Sequence, residues 1–141
     1  MGVATRLLTS QKPLFRGDCD FIVLRGADGD LGVLPGHSPL LTWLKPGEVM
    51  LRRGEKEEYF FLEDGYLEVL PDRVSILAQR GSRSDELKPE VAETMRKAAE
   101  DALHRAEASA GDKGLAVVQS DLEVAVARLE AAERQRRRAR D

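Results

Sequence analysis

Hydrophobic positions change their spacing once along the chain, near residue 81. Before that point they follow the short, two-residue period of strands. Val3 to Leu8 forms one such segment, closed by Thr9-Ser10-Gln11-Lys12-Pro13, and Phe15-Arg16-Gly17 forms a short second one. Phe21, Ile22, Val23 and Leu24 are consecutive, which predicts a strand buried on both faces. Gly26-Ala27-Asp28-Gly29-Asp30 has the composition of a turn. The run Gly29 to Thr42 then combines three glycines and two prolines with Leu31, Val33 and Leu34, which predicts a turn, a short buried strand, a tight turn and another strand. Lys45-Pro46-Gly47 turns the chain. In Glu48–Arg53, Val49 and Leu51 point one way and Met50 and Arg52 the other. Asp64-Gly65 reads as a hairpin turn between Glu58–Glu63 and Tyr66–Leu70, and Val74–Ala78 closes the series. Many short strands with turn signals roughly every 8–12 residues predict an antiparallel β-sandwich or flattened barrel over residues 1–80.

A linker is expected over 81–87, where Gly81-Ser82-Arg83-Ser84-Asp85 marks an abrupt change of composition. Beyond it Ala, Glu and Arg dominate. Val91, Met95, Ala98, Ala102 and Ala106 recur at helical spacing, and so do Leu115, Val118, Leu122, Ala125, Val126, Leu129 and Ala132. Pro89 suits a helix start, and Ala110-Gly111-Asp112-Lys113-Gly114 breaks the pattern. The expectation is an antiparallel two-helix hairpin over 88–141, with helices near 88–109 and 113–137, and an α+β fold class for the chain as a whole. Its seam is mostly alanine, which permits close approach but buries little area, so the hairpin is expected to be weakly self-stabilised.

Composition narrows the function. Charged residues make up 33% of the 141 residues, and the formal net charge is −3, which gives no electrostatic footprint for nucleic acid. Cys19 is the one cysteine; it excludes an internal disulfide or a thiolate zinc site and reads as a small buried hydrophobe. The first residues lack the basic and apolar segments of a signal peptide, and no apolar run reaches the roughly 20 residues that span a bilayer. Direct membrane insertion is therefore not expected, and any membrane association would run through a partner. The basic end, Arg134, Arg136, Arg137 and Arg138 with Arg140, has two readings: favourable charge at a frayed helix C-terminus, or an arginine surface for an acidic partner.

Candidate chemistry is sparse. His37 lies in a Gly-Pro turn and reads as a hydrogen-bonded turn residue; His104 reads as a surface residue of the first helix. Ser38 lacks a nucleophile-elbow context. Asp28-Gly29-Asp30 lacks the later ligands of a calcium loop, and Gly29-x-x-Gly32 is not a dinucleotide fingerprint. No catalytic or metal-binding residue is assigned, and the chain reads as a binding or interaction protein.

The run Gly29-Asp30-Leu31-Gly32-Val33-Leu34-Pro35-Gly36-His37-Ser38-Pro39-Leu40-Leu41-Thr42 resembles the signature of the epsilon subunit of the bacterial and organellar F-type ATP synthase. Lys45-Pro46-Gly47, Gly65-Tyr66-Leu67-Glu68-Val69 and Val74-Ser75-Ile76-Leu77-Ala78 also resemble that family, and so does the order of sheet and helices. The resemblance implies a non-catalytic rotor subunit of the central stalk. Its partners would be gamma, the c-ring and, through the helices, the alpha and beta subunits. It would lie peripherally at the cytoplasmic face of the membrane and couple proton-driven rotation to ATP synthesis. The helical hairpin of many bacterial members either folds on the sandwich or extends along gamma to inhibit ATP hydrolysis.

By the same resemblance, Asp28, Asp30 and Leu31 belong to a loop near the c-ring, His37 to a surface near gamma and the ring, and Arg134, Arg136, Arg137 and Arg138 to a region that, when extended, approaches beta. Some members bind ATP through an Ile/Leu-Asp-x-x-Arg-Ala motif on the first helix. Here Ala92-Glu93-Thr94-Met95-Arg96-Lys97 departs from it at three positions, leaving Glu93 and Arg96 as weak candidates and ATP binding weak or absent. The rival reading is a stand-alone ATP-sensing regulatory module.

Overall fold

Residues 2–26, 29–109 and 114–140 are described in the computed structural model, and among them eight strands precede two helices. The strands are β1 (Val3–Thr9), β2 (Pro13–Cys19), β3 (Phe21–Gly26), β4 (Gly29–Val33), β5 (Leu40–Leu44), β6 (Gly47–Arg53), β7 (Lys56–Leu70) and β8 (Arg73–Arg83). They form a single hydrogen-bonded system in the order β2-β1-β8-β7-β5-β3-β4, with β6 paired to both β3 and β7. Because β3 and β7 each contact β5 and β6, the sheet folds back on itself as a flattened barrel with a sandwich core. Its pairings are antiparallel except that β1 runs parallel to β8.

Alternation decides which side chains enter the core. Val3, Thr5 and Leu7 of β1 are buried while Ala4 and Arg6 are exposed. Leu7, Ile22, Leu51, Phe60, Leu67 and Ile76 are among the fully buried residues, and Phe15 meets Phe60 edge-on at a ring-centroid distance of 6.2 Å. Cys19 belongs to this core, and burial pushes its thiol pKa up.

Three local expectations change. Asp64-Gly65 is not a hairpin turn: β7 runs through it without a break. Strand β7 pairs with β6 over Lys56–Leu62 and with β5 over Gly65–Val69, so Asp64-Gly65 is the corner where the strand passes from one neighbour to the other. Asp64 adopts φ 41°, and a Cβ on Gly65 would stand 2.1 Å from the Leu77 carbonyl oxygen. The turn-like dipeptide signals a close backbone approach, not a reversal. Strand β3 is not buried on both faces: Ile22 and Leu24 are buried, while Phe21 and Val23 are half-buried on the outer side. There the guanidinium of Arg52 covers the Phe21 ring at 4.9 Å. Strand β4, expected as buried, is an edge strand in which Val33 alone is fully buried.

Over 81–87, where a linker was expected, β8 continues to Arg83 and a 3-10 turn spans Ser84–Glu86. The buried Ser84 hydroxyl donates to Glu48 at 2.7 Å and ties the end of β8 to β6. The chain divides into two compact units, residues 1–84 and 85–141.

The second unit contains α1 (Pro89–Ala108) and α2 (Leu115–Arg140). Pro89 sits in the first turn, where its missing N–H costs nothing, and the Ser109 N–H donates to the Arg105 carbonyl at 3.1 Å. The covered face of α1 differs from the expected stripe by one residue. Val91, Met95 and Ala98 are exposed, whereas Ala92 is buried and Arg96, Ala99 and Leu103 are half-buried; Ala102 and Ala106 of the expected stripe are half-buried as expected. In α2 the expected stripe is covered at Leu115, Val118, Leu122, Ala125, Leu129 and Ala132, Val126 is exposed, and Ala127 and Ala131 are buried on a neighbouring stripe. In alanine-rich helices several faces share the same spacing, so periodicity alone does not choose among them. The expected break over 110–113 lies outside the described residues.

Candidate partner-docking surfaces

Gly26 of β3 pairs with Gly29 of β4, which makes a tight hairpin at one end of the sheet. Asp28 lies outside the described residues. Asp30 is 75% exposed, with its carboxylate 3.9 Å from the Arg25 guanidinium, a loose surface pair that leaves it open to another cation. Leu31 turns inward and packs, half-buried, against the core. The turn that follows carries Pro35 and then Gly36 at φ 83°, and closes with a hydrogen bond from the His37 N–H to the Leu34 carbonyl at 3.1 Å. Those are the residue types that a type II turn demands at its central positions. His37 Nδ1 lies 2.7 Å from the Ser38 carbonyl oxygen, as a hydrogen-bonded turn histidine should. Asp30 and His37 are thus held at opposite ends of one short edge strand and its turn.

A surface that was not recognised from the sequence lies on β5 and β7. Leu41 and Trp43 point outward from β5 and are 68% and 71% exposed. Trp43 pairs in register with Tyr66 of β7, and their rings meet edge-on at 5.6 Å. Next to them is a groove of about 530 Å³ lined by Trp43, Asp64, Gly65, Tyr66, Leu77 and Gln79. The signal was present: in Leu40-Leu41-Thr42-Trp43-Leu44 both faces of the strand are apolar, and a sheet whose inner face is satisfied by Leu40 and Leu44 leaves Leu41 and Trp43 exposed.

On α2, the four candidate arginines do not form one stripe. Arg134 and Arg138 are four residues apart and share a face, on which Arg138 donates to Gln135 at 2.8 Å. Arg136 points elsewhere and pairs with Glu90 of α1, whose carboxyl pKa is lowered by its own backbone N–H and by that guanidinium. Arg137 is exposed. The helix continues to Arg140.

Glu93 and Arg96, the weak ATP candidates, bond to each other. Arg96 also bonds Glu100, so one guanidinium serves two carboxylates of its own helix. The hydrogen bond from Arg96 holds Glu93 below the usual glutamate range, and both carboxylates raise the pKa of Arg96. A phosphate entering here would have to displace both.

Among proteins of known sequence and structure, the family model of the ATP synthase delta/epsilon chain β-sandwich domain matches residues 3–84. The chain belongs to this family. Epsilon chains, the non-catalytic subunits within it, are similar over most of the present chain. The ATP synthase epsilon chain of Chromohalobacter salexigens is 41% identical over 128 residues, spanning 90% of this chain and 82% of that one. That of Hydrogenovibrio crunogenus is 38% identical, spanning 88% and 84%. Epsilon chain 2 of Ralstonia nicotianae is 39% identical, spanning 95% of each. The fold recurs in solved structures of the Euglena gracilis mitochondrial ATP synthase (TM-score 0.76, 23% identity, 93% of this chain and 81% of that one). It recurs also in the central stalk and c-ring of the Tetrahymena thermophila enzyme (TM-score 0.64, 15% identity, 94% and 97%). The epsilon-type resemblance read from residues 29–42 therefore extends across both units.

Proposed function

We propose that this epsilon-type chain is a rotor element that docks the gamma subunit through the outer face of β5 and β7. The edge hairpin β3–β4 contacts the c-ring, and the helices restrain ATP hydrolysis at the alpha and beta subunits. The observation that carries the reading is the exposed Leu41–Trp43–Tyr66 surface: large apolar side chains, two of them aromatic, standing together on a sheet whose core is already complete. Asp30 supplies a carboxylate for basic loops of the ring, with Asp28 beside it in sequence. Among the described residues no helix is long and apolar enough to cross a membrane. The chain would thus reach the cytoplasmic face of the membrane through its partners.

The test is binding to purified gamma. Because Trp43 is exposed, Trp43→Glu should leave the thermal midpoint of the chain unchanged while weakening the complex by roughly 30- to 100-fold, the loss typical of a truncated aromatic anchor. Undiminished affinity would assign gamma to another face. The rival reading, an ATP-sensing module, is addressed by calorimetry on the same protein. With Arg96 held by Glu93 and Glu100, Arg96→Ala should leave any heat of ATP binding unchanged, and tight ATP binding that this variant abolishes, without gamma affinity, would favour the rival.

A further inference from the structure

The outer face of β2, β1 and β8 carries a second surface, opposite in character to the gamma-docking face. Here the register sets two rows of side chains across three strands. Arg16, Arg6 and Ser75 form one row, and Asp18, Ala4 and Arg73 the next. Ala4 is the low point, and the groove above it, of about 430 Å³, is rimmed by the three arginines. Arg6 and Arg16 are direct antiparallel partners, with Cβ atoms about 5 Å apart, a placement of like charges that costs stability in an isolated sheet. Neither Arg16 nor Arg73 has an acidic partner among the described residues. Arg6 is held in place: its Nε donates to the Oγ of the buried Ser75 at 2.9 Å. Asp18 is the one carboxylate in the groove, so three positive charges face one negative. This concentration of charge stands on a chain whose net charge is −3.

We propose that this groove is a binding site for a small, multiply charged phosphate anion, a diphosphate or triphosphate. Guanidinium groups bind phosphate oxygens in pairs with charge-assisted hydrogen bonds, and one preorganised arginine lowers the cost of ordering the others. The volume is that of a small-ligand site and not of a protein interface. The large exposed hydrophobic residues, such as Trp43, Leu41 and Val91, lie on other elements, so the groove offers nothing to insert into lipid and a soluble anion is favoured over a membrane headgroup.

The experiment titrates the full chain at low ionic strength with inorganic triphosphate, read by calorimetry and by amide chemical shifts. Saturable one-to-one binding is expected, with the largest shifts at Thr5, Arg16 and Ser75 and an affinity that falls as salt is raised. Arg16→Gln and Arg73→Gln should each weaken it about tenfold, and Asp18→Asn should tighten it. Arg16→Gln also removes a like-charge contact, so its thermal midpoint should not fall, which separates lost binding from lost folding. The proposal is overturned by absence of saturable binding, or by undiminished affinity in both arginine variants. It is overturned equally if Arg136→Gln and Arg137→Gln abolish binding in their place, or if the chain binds anionic phospholipid vesicles but not triphosphate.

Discussion

Gly65 is the residue on which the sheet's closure depends most directly. A methyl group there would overlap the Leu77 carbonyl at 2.1 Å, and the Ala78 Cα is 2.8 Å away, so the obstacle is backbone that cannot turn aside. Gly65→Ala should therefore cost about 3 kcal/mol in chemical denaturation, the upper range for overpacking. Gly36 is the control. It has φ 83°, but a methyl group there would meet nothing within 4 Å, so Gly36→Ala should cost only the left-handed backbone penalty, about 1 kcal/mol. Equal losses at the two sites would mean that β8 yields to the added methyl group and that the close approach is not what the corner requires. The neighbouring charged positions are better satisfied. Glu58, with its side chain 12% exposed, sits between Arg53 and Arg83, whose guanidiniums also cover Phe15 and Phe60.

The helices depend on charge more than the strands do. Buried alanines provide little apolar area, and the pairs Glu90–Arg136 across the hairpin and Glu93–Arg96–Glu100 along α1 add solvent-screened ionic contacts to it. Both Glu90 and Glu93 have folded-state pKa values below their ordinary 4.5. Depressed carboxylates stabilise the folded form above the unfolded pKa, and that contribution disappears as pH falls through the folded value. Helical circular dichroism should hold from neutrality to about pH 5 and decline on further acidification, before the near-ultraviolet signal of Trp43 and Tyr66 changes. Glu93→Gln with Glu90→Gln should flatten the decline, and an unaltered profile in that variant would remove these pairs as its cause. The same contrast explains what the sequence disclosed. Strand positions were legible because alternation has one solution when one face is buried, and Pro89 fixed the start of α1. The covered face of α1 was legible only at Ala102 and Ala106, because alanine satisfies several stripes equally and Arg96, tied to two glutamates, occupies the covered one nearer its start. The Asp64-Gly65 corner was misread since the same dipeptide serves a reversal or a close approach, and long-range pairing decides between them. Of the candidate docking residues, Asp30 and His37 were visible as turn chemistry and through family resemblance. The Trp43–Tyr66 surface depends on cross-strand register, which a single strand's pattern does not contain.

At the scale of the molecule, the boundary between the two units determines how the proposed regulatory role can be tested. A cut after Ala78, where the last clear strand residue falls by sequence pattern, would remove Arg80–Arg83 from β8 and strip Phe60–Glu63 of their partners on that strand. It would also delete Ser84 and its bond to Glu48. Loss of function in such a chain would report damage to the sandwich. A cut after Glu86 leaves every strand and the 3-10 turn in place and removes both helices. The chain ending at Glu86 should retain the β spectrum and the gamma affinity of the full chain, because Leu41, Trp43 and Tyr66 all lie in the first unit. If the helices restrain hydrolysis, the assembled enzyme carrying this shortened chain should hydrolyse ATP several-fold faster, a change of about 1 kcal/mol in the restraining equilibrium. Raised hydrolysis together with unchanged gamma affinity would place inhibition in the helices and attachment in the sandwich. Unchanged hydrolysis with retained gamma affinity would leave α1 and α2 as a structural strut and remove the inhibitory role, while the docking function of the β domain would stand.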